Sequence, residues 1–431
     1  MKFENTREFA LSLDKNDSLS QYKDEFLFPR VNGRNVIYFT GNSLGLQPKT
    51  ARSYVDEIMT NWAELAVEGH FKGSKPWWDY HERFSEILGR LVGAKPHEIT
   101  VMNTLTVNLH LLMVSFYRPA EGRYKIICEE KAFPSDQYMI ASQVKFHGYD
   151  PADAIVEVKK RPGEHKFRTE DIIQKIKEVG EECALVLIGG VNYYSGQVME
   201  MKKITRAGQD VGAKVGWDLA HAAGNIELNL HDWNVDFAAW CSYKYMNSGP
   251  GNASGCFIHE RHHGLNNIPR FEGWWGHNKE RRFLMEPVFE PENNAHAWQI
   301  SNAPVLALAP YLASVEMFDK VGMPALIKKR EILVAFLEFI LHEIDKEVKG
   351  DFEVITPSGP GERGAQLSVF LHGEGKGLFY YLMEHGVITD WREPNVIRLA
   401  PAPFYCSFEE MYEFGQILKK GILEKNQDPI C

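Results

Sequence analysis

Between Tyr124 and His259 the chain alternates short apolar runs with longer stretches of helical periodicity, and this alternation restricts the fold more than any other feature of the sequence. Strands that take turns with helices build βαβ units and a mostly parallel sheet. The strand runs are Tyr124 to Cys128, Ala154 to Val158, Ala184 to Val191, Ala213 to Asp218, Phe237 to Ser242 and Cys256 to His259. Helices fill the gaps over Gln137 to Phe146, Thr169 to Val179 and Lys202 to Val211, the second with Thr169 as N-cap and Glu170 in its first turn.

Near Pro304 the pattern changes. Two amphipathic helices (Val305 to Val321 and Pro324 to Val348) are followed by strands at Phe352 to Thr356 and Gln366 to His372, a helix at Gly377 to His385 and a last helix after Ser407. The expected class is α/β: a large, mostly parallel-sheet domain over 74–303 and a smaller α+β domain over 304–431, the latter completed by an N-terminal segment, 1–73. A chain of 431 residues suits that division.

Composition narrows the function classes. With 58 acidic against 48 basic residues the formal charge is −10, which repels a nucleic-acid backbone or an anionic membrane over most of the surface. Glu4, Arg7, Glu8 and Asp14 interrupt the first segment, so a secretory leader is not expected, and no run nears the ~20 apolar residues of a membrane helix. The six cysteines include no CxxC pair, which fits neither a disulfide framework nor a zinc ribbon and points to a reducing cytoplasm. His259-Glu260-Arg261-His262-His263 lacks the H-E-x-x-H spacing and reads as a solvated loop, so no metal is expected. The glycines from Gly249 to Gly255 follow a strand without forming G-x-G-x-x-G, which disfavours a nicotinamide site.

Ligands of open α/β sheets bind at the carboxyl ends of strands, so the polar residues found there carry the functional reading. Asp218 and His221 follow one strand, Phe133 to Asp136 another, Gly189 to Gly196 a third and Ser242 to Tyr245 a fourth. Lys244, after the apolar run Phe237 to Cys241, is drawn into a partly buried setting where loss of solvent favours a neutral, nucleophilic amine. A buried carboxylate such as Asp218 is what the ring nitrogen of pyridoxal phosphate requires, because a protonated ring is an electron sink. Taken singly, Lys244 reads as a surface lysine, and Asp218 with His221 as a cap and a core histidine. Together they point to chemistry.

In that order the segments Tyr38 to Pro48, Asn103 to His110, Phe133 to Asp136, Trp217 to His221, Ser242 to Tyr245, Gly273 to His277, Gln299 to Asn302 and Val396 to Pro401 make the chain resemble the fold-type I pyridoxal phosphate enzymes, and within them the kynureninases. The resemblance implies that Lys244 carries the cofactor, that Asp218 faces its ring nitrogen with His221 beside it, and that Phe133 stacks on its face. Ser135 and Asp136 lie near the ring. Leu105, Thr106 and Tyr243 hold the phosphate, while Gly189 stands where the family often has Ser. Trp274 and Asn302 reach the cofactor or substrate region of the neighbouring subunit, which would make them cofactor-binding residues and a homodimer the catalytic unit. Arg398 holds the substrate carboxylate, and Ser43, His70, His277 and Asn302 surround its aromatic amine. Tyr243 is also the expected proton donor late in the reaction. The implied activity is hydrolytic Cβ–Cγ cleavage of L-kynurenine or 3-hydroxy-L-kynurenine to an anthranilate and L-alanine, in tryptophan degradation or on the route to NAD. A cysteine desulfurase or class V aminotransferase of the same fold is the nearest alternative, but a desulfurase needs a mobile loop cysteine, and the cysteines here sit in apolar strands or near the end of the chain (Cys406, Cys431). A silent scaffold is disfavoured by the joint presence of Lys244, Asp218 and Arg398.

Overall fold

The computed structural model describes residues 2–264, 267–348, 352–373 and 375–427. The chain forms two compact units, the larger comprising Ala51–Asn192 and Met199–Lys320, the smaller Met1–Thr50, Tyr193–Val198 and Val321–Cys431.

The larger unit is built on seven strands: β1 Ile99–Met102, β2 Lys125–Glu129, β3 Ile155–Val158, β4 Cys183–Gly189, β5 Lys214–Asp218, β6 Phe237–Trp240 and β7 Ser254–Ile258. Their order is β1-β7-β6-β5-β4-β2-β3; β7 runs antiparallel to both neighbours and every other pairing is parallel. The carboxyl ends of the six like-directed strands therefore collect along one edge. Helices α1 Leu105–Phe116, α2 Pro134–Phe146, α3 Thr169–Val179 and α4 Met201–Asp210 connect them. Strands such as β4 and β7 are apolar and buried along nearly their whole length, as expected of a sheet covered on both faces.

Several boundaries differ from the sequence reading for local reasons. Helix α2 starts three residues early, because Pro134 fits the first turn, where its missing N–H leaves no bond unmade. Thr169 does not cap α3: it is the first helical residue, Arg168 holds the cap position, and the Thr169 hydroxyl bonds Glu200 instead. Strand β6 stops at Trp240 because Ser242 turns its hydroxyl to the Ala253 carbonyl (2.5 Å) and accepts from Ser248 (2.6 Å), so Ser242 to Lys244 leave the ladder as a loop.

Helix α5, Val305–Val321, and the helix Ala51–Leu65 belong together: the Tyr54 hydroxyl donates to Glu316. The units divide at Thr50 and Lys320, where the sequence suggested 73 and 303. In the smaller unit, β8 Phe352–Val354, β9 Leu367–Leu371, β10 Asp390–Arg392 and β11 Val396–Leu399 form an antiparallel sheet ordered β8-β9-β11-β10. It is accompanied by helices α6 Met323–Val348 and α7 Phe408–Gln427. The N-terminal segment is tied in by Asp14, whose carboxylate accepts the Phe408 and Glu409 N–H groups (2.8 Å each) and caps α7. No described helix is long and apolar enough to cross a membrane.

Candidate active site

The parallel ladder fixes the centre of the larger unit. Register places Asp218 of β5 beside Gly189 of β4 and Ala239 of β6. Asp218 is buried and its Oδ1 accepts the Ala220 N–H at 2.7 Å. The loop after β6 brings Lys244 Nζ within 3.0 Å of His221 Nε2 and 5.9 Å from the centre of the Phe133 ring. Asp136, in the first turn of α2, is buried too and shares a hydrogen bond with Asp218. Burial pushes the carboxyl pKa of both residues up, and for Asp136 the Asp218 charge adds to the effect, whereas the hydrogen bond from Asp136 pulls Asp218 back down.

This donor set fits a pyridoxal ring. Asp136 Oδ1 is buried without a hydrogen-bond partner, so the carboxyl pair retains acceptor capacity for a cationic ring N–H. At the far end, Leu105 and Thr106 open α1 behind Thr104, whose side chain makes no capping bond. First-turn N–H groups left uncapped in this way suit a phosphate. Tyr243 is half-buried; burial raises its phenol pKa, and its hydroxyl is bonded to Cys241. Ser135 is half-buried in the first turn of α2, next to Asp136.

Glu129 is the residue that the sequence reading missed. It ends β2, one position beyond the expected strand end at Cys128, and its Oε1 accepts the Gly189 N–H at 3.1 Å. Burial, with a smaller contribution from Asp218, pushes its pKa up to about 7. A Cβ at position 189 would lie 3.1 Å from that oxygen. A side chain at 189 would thus require the carboxyl to give by a few tenths of an ångström, which gives Gly189 a physical reason.

A second group surrounds the segment Gly273 to His277. His70 and Asn302 line one cavity of about 460 Å³ together with Trp62, Trp77, Trp275 and Leu306. The His70 ring meets Trp77 edge-on at 5.3 Å. Trp274 is 40% exposed and its Nε1 donates to the Arg282 carbonyl at 2.9 Å. His277 is buried; its Nδ1 accepts the Glu290 N–H at 2.9 Å, while Nε2 is buried without a partner.

In the smaller unit Arg398 and Ser43 meet on Asp390, which the sequence reading did not single out. Arg398 is 1% exposed, pairs through Nη2 with the Asp390 carboxylate and donates from Nη1 to the Tyr193 carbonyl at 2.7 Å. The Ser43 hydroxyl donates to the same carboxylate. Asp390 therefore sets the plane of the guanidinium.

The histidine cluster is not a solvated loop. His262 is buried against Asp236 (2.8 Å), and His259 is buried and stacked on His231 at 4.9 Å. Glu98, His231 and His259 bring their ligand-type atoms within 4.8 Å of one another, yet Glu98 already accepts from the Lys95 and Glu260 N–H groups (2.9 Å each) and contacts His231 at 3.0 Å. The polar groups at the ends of β1 and β7 are thereby satisfied internally. The five described cysteines are free and buried, with their thiol pKa values pushed up by burial, and Cys431 lies outside the described residues.

Residues 37–256 match the family Aminotransferase class-V, and residues 330–418 match the Kynureninase C-terminal domain. The kynureninase of Christiangramia forsetii is 78% identical over 99% of this chain and 100% of its own length, and that of Myxococcus xanthus is 52% identical over 97% of each. Among solved structures, a cysteine desulfurase from Thermococcus onnurineus superposes with a TM-score of 0.74 at 17% identity, covering 90% of this chain and 95% of its own. A cystine C–S lyase with glycine covalently linked to its PLP cofactor has a TM-score of 0.72 at 15% identity, covering 89% and 96%. At such identities the structural likeness concerns the fold alone.

Proposed function

This chain belongs to the kynureninase family, and from that premise we propose that it is a pyridoxal phosphate-dependent hydrolase that cleaves the Cβ–Cγ bond of L-kynurenine or 3-hydroxy-L-kynurenine, releasing an anthranilate and L-alanine. The observation that carries the cofactor reading is Lys244 Nζ at 3.0 Å from His221, over the Phe133 ring and beside the buried pair Asp136 and Asp218.

When bound, the cofactor supplies an electron sink that stabilises carbanions on the amino-acid substrate. Asp218 keeps the ring nitrogen protonated, with Asp136 holding Asp218 in place. Leu105, Thr106 and Tyr243 anchor the phosphate, Gly189 with Glu129 closes the neighbouring strand end, and Ser135 supports the first turn of α2. Arg398, oriented by Asp390, is the cation that takes the substrate carboxylate. With the cofactor bound, the Lys244 amine would be placed to take the substrate's Cα proton and to return one. Hydrolysis at the γ-carbonyl would release the aromatic acid, and Tyr243 would supply the proton that the β-carbon needs. His221, within hydrogen-bond distance of Lys244, steadies the amine between these transfers.

Ser43, His70, His277 and Asn302 form the polar surround of the aniline ring. The Asn302 amide can pair with a ring hydroxyl as donor or acceptor, which favours acceptance of 3-hydroxykynurenine. Trp274 and Asn302 act on the partner's site in a homodimer. Support comes from an apolar surface on the larger unit, where exposed Phe71, Trp274 and Phe283 meet with ring centres 5.6 to 6.4 Å apart. The reduced, buried thiols accord with a cytoplasmic enzyme of tryptophan degradation or NAD supply.

The deciding experiment follows anthranilate or 3-hydroxyanthranilate formation from both kynurenines and maps the borohydride-fixed cofactor. Turnover in the parent, label on Lys244 and none of either in a folded Lys244→Ala variant are expected. Label on another lysine, or no turnover of either substrate by the cofactor-loaded parent, overturns the reading.

A further inference from the structure

We propose that Arg282 is a positioning residue for substrate recognition: its guanidinium locks the Gly273 to His277 segment so that Trp274 and His277 are presented together. The inference rests on the reading above, which places His277 beside the substrate's aromatic amine and Trp274 at the partner subunit's site.

Arg282 lies in a short 3-10 turn, Arg282–Leu284, and is only 3% exposed. Its Nη2 donates to two main-chain carbonyls of the segment, Trp275 at 2.7 Å and His277 at 3.0 Å. The guanidinium carbon sits 4.7 Å from the centre of the Trp275 ring and 4.9 Å from that of Trp78. The return contact is made by the backbone, since the Arg282 carbonyl accepts the Trp274 indole N–H at 2.9 Å. One residue therefore grips the segment at three points: the indole of 274, the carbonyl of 275 and, past Gly276, the carbonyl of 277.

The chemistry is specific to arginine. A planar cation can lie against two indole rings and still direct N–H groups at carbonyls in its own plane, whereas an ammonium can do neither at once. Burial lowers the pKa of Arg282 from its usual value, and Glu292 and Glu82 oppose this from a distance. The hydrogen bonds themselves go to carbonyl oxygens, so the cation is spent on geometry. His277 shows what that geometry achieves. Its Nδ1 is fixed by the Glu290 N–H, which leaves the ring N–H on Nε2, and that atom is buried without a partner in the protein. Such a donor becomes useful when the main chain beneath it cannot shift, and Arg282 is the side chain that prevents the shift.

The test uses the cofactor-loaded enzyme with Arg282→Met and Arg282→Lys, measuring kcat and KM for both kynurenines, cofactor absorbance and near-ultraviolet circular dichroism. Loss of the lock is expected to raise KM about tenfold or more while kcat falls less, with cofactor content unchanged and the indole dichroism altered. Guanidinium ion at millimolar concentration is expected to lower the raised KM in a third variant, Arg282→Ala, which leaves the side-chain space open, but to leave the parent unchanged. Parent-like KM and dichroism in a folded variant overturn the proposal, as does a loss of activity that merely tracks loss of cofactor. Should Arg282→Met fail to fold, Arg282→Lys decides by the same KM and dichroism criteria. If the parent turns over neither kynurenine, the functional reading fails, while the dichroism still reports whether Arg282 sets the indoles.

Discussion

A single buried carboxyl shows how position alone creates chemistry. Glu129 has its pKa raised to about 7, chiefly by burial. In the unfolded chain it titrates near ~4.3, so through the interval between the two values the unfolded state loses a proton that the folded state keeps. Stability therefore falls as pH rises across that window, by an amount on the order of 3 kcal/mol once pH exceeds the folded value. Glu129→Gln removes the titration and keeps the shape. Its stability relative to the cofactor-free parent is expected to climb between about pH 5 and pH 8, read as the urea midpoint at each pH. A difference that stays flat with pH would mean that Glu129 is not protonated in the fold. Lys244 and Asp218 were legible in the sequence because each ends an apolar run. Glu129 was passed over because a carboxyl at the inner end of a strand has no local signature, and Asp390 because its importance lies in Arg398 and Ser43, both far away in sequence.

The same contrast holds for elements. The βαβ core between β2 and β7 was visible because long apolar runs and amphipathic helices alternate there. The four residues of β1 lie before that alternation begins, and β10 and β11 are short strands held by pairing, β10 with β11 and β11 also with β9. What periodicity cannot show is how closely strands and rings approach. Gly216 of β5 lies two residues before Asp218, and a Cβ there would meet the Phe237 ring at 2.1 Å. That ring is fully buried and stacked on Phe116 with centres 4.8 Å apart, so it has little room to yield. Gly216→Ala is expected to destabilise the protein by about 2 kcal/mol through overpacking. Because the strain arises beside Asp218, cofactor affinity should weaken as well. Urea unfolding together with cofactor titration measures both, and an alanine variant with parent-like midpoint and affinity would show that the ring can move after all.

At the scale of the whole molecule, the proposed homodimer means that one chain does not make a complete site. Asn302 is exposed and lines a cavity with His70 on the larger unit, whereas Trp274 belongs to an exposed aromatic surface. Residues in such places act on a neighbour's substrate if the surface is a two-fold interface, where the same patch meets itself. The consequence is numerical. Lys244→Ala damages the site of its own chain, and Trp274→Ala damages the partner's. A mixed dimer then holds one intact site and one site with both defects. With equal amounts and free subunit exchange, half the dimers are mixed, so about a quarter of parental activity is expected to return from two preparations that are each nearly inactive. The measurement is kcat per subunit after exchange, with the mixed species quantified by mass spectrometry. Recovery near that fraction separates a shared site from a self-contained one, because residues acting within one chain leave every subunit of a mixed dimer with one defect and restore nothing.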